Sequence, residues 1–291
     1  MIRIGIDIGG TKIEAIAMDS EGNIQSRKRI ATPGSYPDMV NAVRDIVTGL
    51  ASDSGSGVKI GVGHPGSENP VTGLIRGANS TWLNGRPLRS DLSEALGSEV
   101  RLANDANCFA LSEAIDGAGA GASSVFGVIL GTGVGGGLVL DQRLLGGAQG
   151  IAGEWGHNPL PWPDPAEIPP PDCWCGKSGC IETWLSGPGI AAEYHRRTAD
   201  TLPPREILAD QEELARYAGR LARALAHVIN VVDPEVIVLG GGVSNTPGLP
   251  GAVQSALTGH VFCDRVTSRV ERHQHGDSSG VRGAAWLWPA P

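Results

Sequence analysis

The chain has 291 residues, room for one large domain or two of ordinary size, since domains cluster near ~100–150 residues. Its 23 basic and 31 acidic side chains leave a net charge of −8, which argues against a nucleic-acid footprint and a polybasic lipid anchor. The 41% apolar fraction suffices for cores, no apolar run approaches the ~18–20 residues of a membrane span, and Met1–Asp7 lacks signal-peptide character, so a cytoplasmic protein is expected.

Ile2 to Ile8 alternates with period two and predicts a strand; after Gly9-Gly10-Thr11-Lys12, Ile13 to Met18 predicts its hairpin partner. Met39, Val40, Val43, Ile46, Val47 and Leu50 recur at three-and-four spacing, an amphipathic helix. A buried strand near Lys59–Gly63, a helix near Asp91–Leu96, a strand at Val100–Ala103 and a helix from Ala106 follow. The pattern then repeats, with strands at Val125–Leu130 and Val134–Leu140 around a glycine turn. A long helix carries Leu214, Tyr217, Leu221, Leu225, Val228 and Val232 on one face, and a strand at Val236–Leu239 comes after it. Aligning Ile8 with Leu130 puts Gly9 on Gly131 and Asp19 on Asp141, so two related α/β lobes with a cleft between them are expected. Between Trp155 and Cys180 the chain is proline-rich and suits no regular element. Glycine, at 43 residues, is about twice the ~7% average and clusters at the ends of apolar runs, which suggests backbone approaching a ligand.

Asp7-Ile8-Gly9-Gly10-Thr11-Lys12 reads either as an ordinary hairpin or as a phosphate turn, with a carboxylate addressing a metal ion and backbone N–H groups facing the phosphate. Gly131 to Gly136 and Gly61 to Gly66 match a dinucleotide fingerprint in spacing. A strand follows the first where a helix is required, and a proline interrupts the second, so that reading is rejected. Asp105, after a strand and opening a helix, fits an N-cap or a general base facing the cleft. His157, Cys173, Cys175 and Cys180 supply one imidazole and three thiols, the donor set of a closed structural zinc site. A disulfide is the alternative, disfavoured in a reducing compartment.

These motifs, together with Gly63-His64-Pro65-Gly66, Asn104-Asp105-Ala106-Asn107, Gly153-Glu154-Trp155-Gly156-His157, Cys173-Trp174-Cys175-Gly176-Lys177-Ser178-Gly179-Cys180-Ile181-Glu182 and Gly240-Gly241-Gly242, make the chain resemble the ROK family of sugar kinases from end to end. The resemblance implies an actin-like ATPase (ribonuclease H-like) fold with two lobes, an interlobe cleft and a small zinc-bearing insertion. It implies a hexose kinase using ATP, Mg²⁺ and a structural Zn²⁺, and commonly a homodimer. The lobes would span 1–118, completed by a C-terminal helix near 277–291, and 119–276, with the insertion at 155–182. Asp105 would be the catalytic base. Gly66, Asn79, Asn104, Glu154, His157 and Glu182 would join it around the sugar, His157 also serving zinc. Asp7 would hold Mg²⁺. Gly9, Gly10, Thr11, Lys12, Gly131, Thr132, Gly133, Gly241, Gly242 and Asn245 would line the nucleotide.

Asn79 to Gly85, Glu154 to Trp162 and His275 to Trp286 look most like the fructokinase (mannofructokinase) branch, which implies phosphorylation of the 6-hydroxyl of fructose, with mannose or glucose as further acceptors. The alternatives are an N-acetylglucosamine or N-acetylmannosamine kinase and a sugar sensor without catalysis. Repressor relatives carry a helix-turn-helix ahead of the Asp-x-Gly-Gly motif, which here begins at residue 7. His64 departs from the smaller or aliphatic residue of many relatives.

Overall fold

The computed structural model describes residues 1–52 and 57–289. The expected N-terminal strand is β1 (Arg3–Ile8); its partner β2 (Lys12–Met18) is antiparallel with Ile8 opposite Ile13, and β3 (Ile24–Ala31) extends the meander. After α1 (Tyr36–Ser52) comes β4 (Lys59–His64), parallel to β1. A short hairpin of β5 (Ser67–Glu68) and β6 (Ile75–Arg76) and the helix α2 (Leu88–Leu96) lead to β7 (Val100–Asn104), parallel to β4. The first sheet therefore runs β3-β2-β1-β4-β7.

The helix α3 (Asp105–Asp116) precedes a second meander of β8 (Ser124–Leu130), β9 (Val134–Leu140) and β10 (Arg143–Leu144). Beyond the insertion lie α4 (Glu182–Leu185), α5 (Gly187–Thr198), α6 (Pro204–Ile207) and the long α7 (Gln211–Val232). Then come β11 (Val236–Gly240), α8 (Leu249–Ala256), β12 (Arg269–Arg272) and α9 (Ser279–Trp286). The second sheet, β10-β9-β8-β11-β12, repeats the first: an antiparallel meander followed by two parallel strands. This doubled arrangement is the two-lobed actin-like ATPase fold. Among the described residues no helix is long and apolar enough to cross a membrane.

Strand β1 is covered on both faces. Ile4, Ile6 and Ile8 pack with Met39, Val43 and Ile46 of α1 and Leu88 and Leu92 of α2. The alternate residues Gly5 and Asp7 face α9 instead: a Cβ on Gly5 would come within 2.7 Å of Ala285 N, and one on Gly280 within 3.2 Å of an Asp7 carboxylate oxygen. In the second sheet Phe126, Val128 and Leu130 join the core built on α7, while Gly127 and Gly137 lie under Ala110 of α3. Each helix thus packs on the sheet of the other half: α3 follows a first-sheet strand yet lies on the second sheet, and α9 does the reverse. They cross where a Cβ on Gly283 would overlap the Cys108 carbonyl. Many glycines expected to approach a ligand therefore serve a different purpose. Gly5, Gly61, Gly127, Gly137, Gly240 and Gly283 are small because another element of the protein lies against them.

The chain returning to α9 is fastened to α3. The buried Glu113 carboxylate accepts from the backbone N–H groups of Gln274 (2.9 Å) and His275 (3.1 Å) and from the Ser279 hydroxyl (2.8 Å). One turn on, Asp116 pairs with His275 Nε2 (2.9 Å) and Arg282 and accepts from the Trp286 indole (3.1 Å). We propose the lobe boundary at 118/119, with α9 completing the first lobe by packing on β1 and β4. Residues 290 and 291, included in the expected C-terminal helix, lie outside the described residues.

The insertion is largely irregular, as its prolines require, with 3-10 turns at Trp155–His157 and Pro165–Glu167 and two isolated bridges, Pro159 with Cys180 and Asp172 with Ser178. An ion cluster pins it to α7: buried Glu167 accepts from Arg220 Nε at 2.8 Å and Arg223 Nη2 at 2.7 Å.

Gly283→Val is expected to cost about 3 kcal/mol or more in urea unfolding, since the α3–α9 crossing has no room for a side chain. Gly34→Ala, at an exposed glycine with nothing within 4 Å of the added carbon, should stay within about 0.5 kcal/mol of the parent. The His275–Asp116 pair should show in the pH dependence of stability. The Asp116 hydrogen bond raises His275 above its ordinary value, against burial and the nearby Arg282 charge. Burial opposes ionisation of Asp116, but hydrogen bonds from His275 and Arg282 prevail and hold it below the usual carboxylate range. The His275 contribution is therefore complete below ~6.5 and lost as pH rises through its folded pKa; that of Asp116 is present above ~3.9 and lost on acidification. The melting-temperature deficit of His275→Gln should be largest near pH 5 and shrink towards pH 9.

Candidate active site and metal centre

Parallel pairing aligns the carboxyl ends of β1, β4 and β7. Asp7 lies opposite Gly63, Gly63 opposite Ala103, and His64 opposite Asn104, which brings Asp7, the Gly63–Gly66 turn and Asn104-Asp105 to one edge. The second sheet presents Gly131 after β8 and Gly241 after β11 in the same way. Ligands of α/β sheets bind at such strand ends.

The Gly9–Lys12 turn is held from within and without. Gly9 N–H donates to the Lys12 carbonyl at 2.9 Å, the Thr32 hydroxyl to the Gly9 carbonyl at 2.7 Å, and Thr32 N–H to the Thr11 carbonyl at 3.0 Å. Lys12 reaches the buried Glu14 carboxylate at 3.8 Å. Asp7 beside this turn is pushed up to about 7, first by burial and then by the negative charges of Asp105 and Glu14, with Lys12 partly offsetting them. Such a carboxylate suits a divalent cation, whose charge would relieve both effects.

Asp105 opens α3. Asn104 caps the helix, its side-chain oxygen accepting from Ala106 N–H at 2.8 Å, and the same N–H donates to Asp105 Oδ1 at 2.8 Å. Asp105 is exposed at its own surface while protein surrounds it at longer range. Burial, followed by the Glu154 charge, raises its pKa, against the lowering effect of the Ala106 bond. Asn104 donates through Nδ2 to the Gly66 carbonyl at 2.9 Å. Gly66 has φ +75° and fits under the chain at Arg76–Ala78, with 2.5 Å between an added Cβ and the Arg76 carbonyl oxygen. Asn79 accepts from Ser80 N–H at 2.8 Å, and Asn84 bonds both backbone groups of Ala78.

In the second lobe, Gly153–His157 lies on the bare backbone of β9. The Trp155 indole donates to the Gly135 carbonyl at 3.0 Å, and Gly136 lies beneath its ring. His157 Nδ1 is 3.7 Å from Cys173 Sγ, Cys175 Sγ is 3.6 Å from Cys180 Sγ, and all four donor atoms lie within 4.8 Å of one another. No disulfide joins them. Burial and the neighbouring thiols push Cys180 up to about 12, while a backbone hydrogen bond from Lys177 leads the effects that lower Cys175. Three thiols and one imidazole at this spacing fit a tetrahedral Zn²⁺, the Cys175–Cys180 sulfur separation of 3.6 Å being near that which ~2.3 Å zinc–sulfur bonds impose.

Glu182 is engaged at both oxygens: Oε1 accepts from the Trp174 indole at 2.6 Å and Oε2 from Val134 N–H at 2.9 Å. The expected sugar ligand is therefore also tied to the second glycine turn. Gly133 has no side chain where Glu182 Oε2 lies, and Gly241 (φ +81°) fits against Leu130 at the end of β8. Gly131, Thr132, Gly242 and Asn245 line a cavity of about 1290 Å³. Its opposite wall, including Pro204, Arg205 and Leu208 from the α6 segment, was not expected, because no motif marks those residues. A second cavity of about 410 Å³ takes in His64, Asn104, Asn107 and the Glu68–Arg89 ion pair. His64 is buried, with Nδ1 3.0 Å from the Pro65 carbonyl, and burial lowers its pKa.

The ROK family model matches residues 3–290. An N-acetyl-D-glucosamine kinase of Escherichia coli O157:H7 is 41% identical over 296 residues, covering 97% of this chain and 98% of that protein. The crystal structure of a ROK hexokinase from Thermus thermophilus superposes with a TM-score of 0.86 at 31% identity, over 99% of this chain and 97% of the other. A ROK family glucokinase from Streptomyces griseus, in complex with glucose and AMPPNP, gives 0.76 at 28% identity, over 99% of each chain.

Purified protein is expected to carry one zinc per chain by inductively coupled plasma mass spectrometry. Cys175→Ser should lose it and become protease-sensitive within 155–182, and a metal-free protein with an intact insertion would remove the assignment.

Proposed function

The chain belongs to the ROK family and is an ATP-dependent sugar kinase; we propose that it transfers the γ-phosphoryl group of ATP to the 6-hydroxyl of a hexose, and that N-acetylglucosamine is the preferred acceptor. The similarity to N-acetyl-D-glucosamine kinases along almost the whole of both chains supports that acceptor. The observation that carries the reaction is the pair of raised carboxylates, Asp7 and Asp105, at one sheet edge beside a braced glycine turn. Fructose is a second reading, favoured by the resemblance of Asn79 to Gly85 and Glu154 to Trp162 to the fructokinase branch.

Phosphoryl transfer depends chiefly on positioning and charge neutralisation. Asp105 takes the proton of the attacking hydroxyl as its oxygen approaches the γ-phosphorus in line with the leaving ADP oxygen. Its raised pKa improves it as an acceptor, because a base works best with a pKa near the operating pH. Asn104, Gly66 and Asn79 orient the sugar from the first lobe, Glu154, His157 and Glu182 from the second. Asp7 is the residue to hold Mg²⁺, which when bound neutralises phosphate oxygens. Backbone groups of Gly9–Lys12 and Gly131–Gly133 line the triphosphate, and Gly241, Gly242 and Asn245 border the nucleoside. His157, Cys173, Cys175 and Cys180 would hold a structural zinc, which when bound would keep the His157 ring in place. Sugar ligands drawn from both lobes favour closure, which excludes water as a competing acceptor.

Asp105→Asn should lower kcat by at least ~10² while sugar affinity by calorimetry stays within about threefold. Coupled ADP release measured across N-acetylglucosamine, fructose, glucose and mannose ranks the acceptors by kcat/KM. A higher value for fructose transfers the assignment to the second reading, and no ADP with any hexose defeats both.

A further inference from the structure

Trp174 stands between two cysteines of the metal cluster and is 72% exposed, yet two contacts hold it. Its indole N–H donates to Glu182 Oε1 at 2.6 Å, and its ring meets the His157 ring edge-to-face, with centroids 5.0 Å apart at 85°. The two residues it touches are the ones in which the metal loop and the proposed sugar site meet. The other Glu182 oxygen accepts from Val134 N–H, the first residue of β9 after the Gly131–Gly133 turn. One exposed aromatic side chain therefore fixes the direction of a carboxylate shared between the acceptor side of the cleft and the nucleotide side.

We propose that Trp174 is an acceptor-selectivity residue. It positions Glu182 and offers an aromatic surface to the edge of the sugar that Glu182 and His157 bind. The inference rests on the reading of this cleft as a sugar site. A carboxylate oxygen with one lone pair already taken by an indole accepts fewer sugar hydroxyls, and a site built on hydrogen bonds to hydroxyls discriminates strongly against an acceptor whose group does not match. The indole also supplies a flat apolar face joined to a polar edge, matching a sugar ring, whose C–H groups and hydroxyls point in different directions. A purely structural tryptophan would be buried among apolar groups. Here the polar edge faces a functional carboxylate and much of the ring meets solvent.

The test uses zinc-loaded, full-length protein with Trp174→Phe, which keeps a ring and removes the indole N–H, and Trp174→Ala, which removes both. Trp174→Ala is expected to raise the acceptor KM about tenfold and change the ranking of fructose, glucose and N-acetylglucosamine, with the KM for ATP within about twofold. Trp174→Phe should raise the acceptor KM by about threefold and keep the ranking. Adding the best acceptor without ATP should change the tryptophan fluorescence of the parent more than that of Trp174→Phe. Unchanged acceptor KM and ranking in Trp174→Ala at full zinc content would overturn the proposal. If Trp174→Ala loses its zinc, zinc-loaded Trp174→Phe decides, an acceptor KM equal to the parent's counting against Trp174. A parent protein that neither binds nor phosphorylates any hexose defeats the sugar-kinase reading of the cleft, separately from any result on Trp174.

Discussion

The structure depends on the close crossing of α3 and α9. Each helix is anchored on the sheet of the opposite half, and the crossing admits no side chain at Gly283. Because α3 begins at Asp105 and α9 begins beside Asp7, the helices that join the lobes also place the two carboxylates of the proposed site. Glycine at Gly5, Gly61 and Gly283 allows backbone-to-backbone contact, and such packed surfaces tolerate little added volume. Glu113 then closes the joint. Its carboxylate collects N–H and O–H groups from the returning chain that no regular element satisfies, which makes its burial acceptable. Asp7 and Asp105 share the sheet edge that this joint supports.

Electrostatics at that edge are arranged for a ligand rather than for stability. Asp7 feels the negative charges of Asp105 and Glu14 with Lys12 partly offsetting them, and burial raises both Asp7 and Asp105, while Glu14 itself is paired with Arg29 at 2.6 Å. Natural sequences accept such conflicts at functional sites and compensate elsewhere. Here the compensation is the apolar packing of two sheets covered on both faces. The insertion follows the same logic at smaller scale: prolines deny it secondary structure, and Glu167 with Arg220 and Arg223 ties its middle to α7. That leaves the four metal-type donors to hold the rest.

What could be read in advance was whatever obeys a short period or a fixed spacing. The isoleucines of β1, the apolar stripes of α1 and α7, and the His157–Cys180 donor set all announce themselves within a few residues. Strand β3 did not, because Ser26, Arg27, Lys28 and Arg29 sit on an edge strand whose side chains largely meet solvent, so apolar alternation is missing. Helix α2 begins at Leu88, earlier than Asp91, since Pro87 supplies the start without a capping side chain. The close-packing glycines were invisible as such: a glycine facing a helix and a glycine facing a phosphate look alike until the partner is known. The α6 wall of the large cavity carries no motif, and only its packing on α5, with Pro204 beside Gly187, brings it to the cavity.

The metal loop, the acceptor site and the nucleotide side are best understood as one chain of contacts. Cys173 and Cys175 bracket Trp174, Trp174 donates to Glu182, and Glu182 accepts from the N–H that follows the Gly131–Gly133 turn. Each link is short and polar, so a change at one end has a defined route to the other without movement of either sheet. A structural ion held by these four donors would do more than staple a proline-rich loop. By fixing where the indole lies, it would fix which lone pairs of Glu182 remain for a sugar hydroxyl in the proposed site. Selectivity among hexoses that differ at one substituent is a matter of such lone pairs and of the space beside them, whereas the proposed reaction relies on Asp7 and Asp105. In the proposed site the two helices set Asp7 and Asp105, while the groups facing the sugar come from both lobes, and the metal loop adjusts only the share of them that Glu182 and His157 supply.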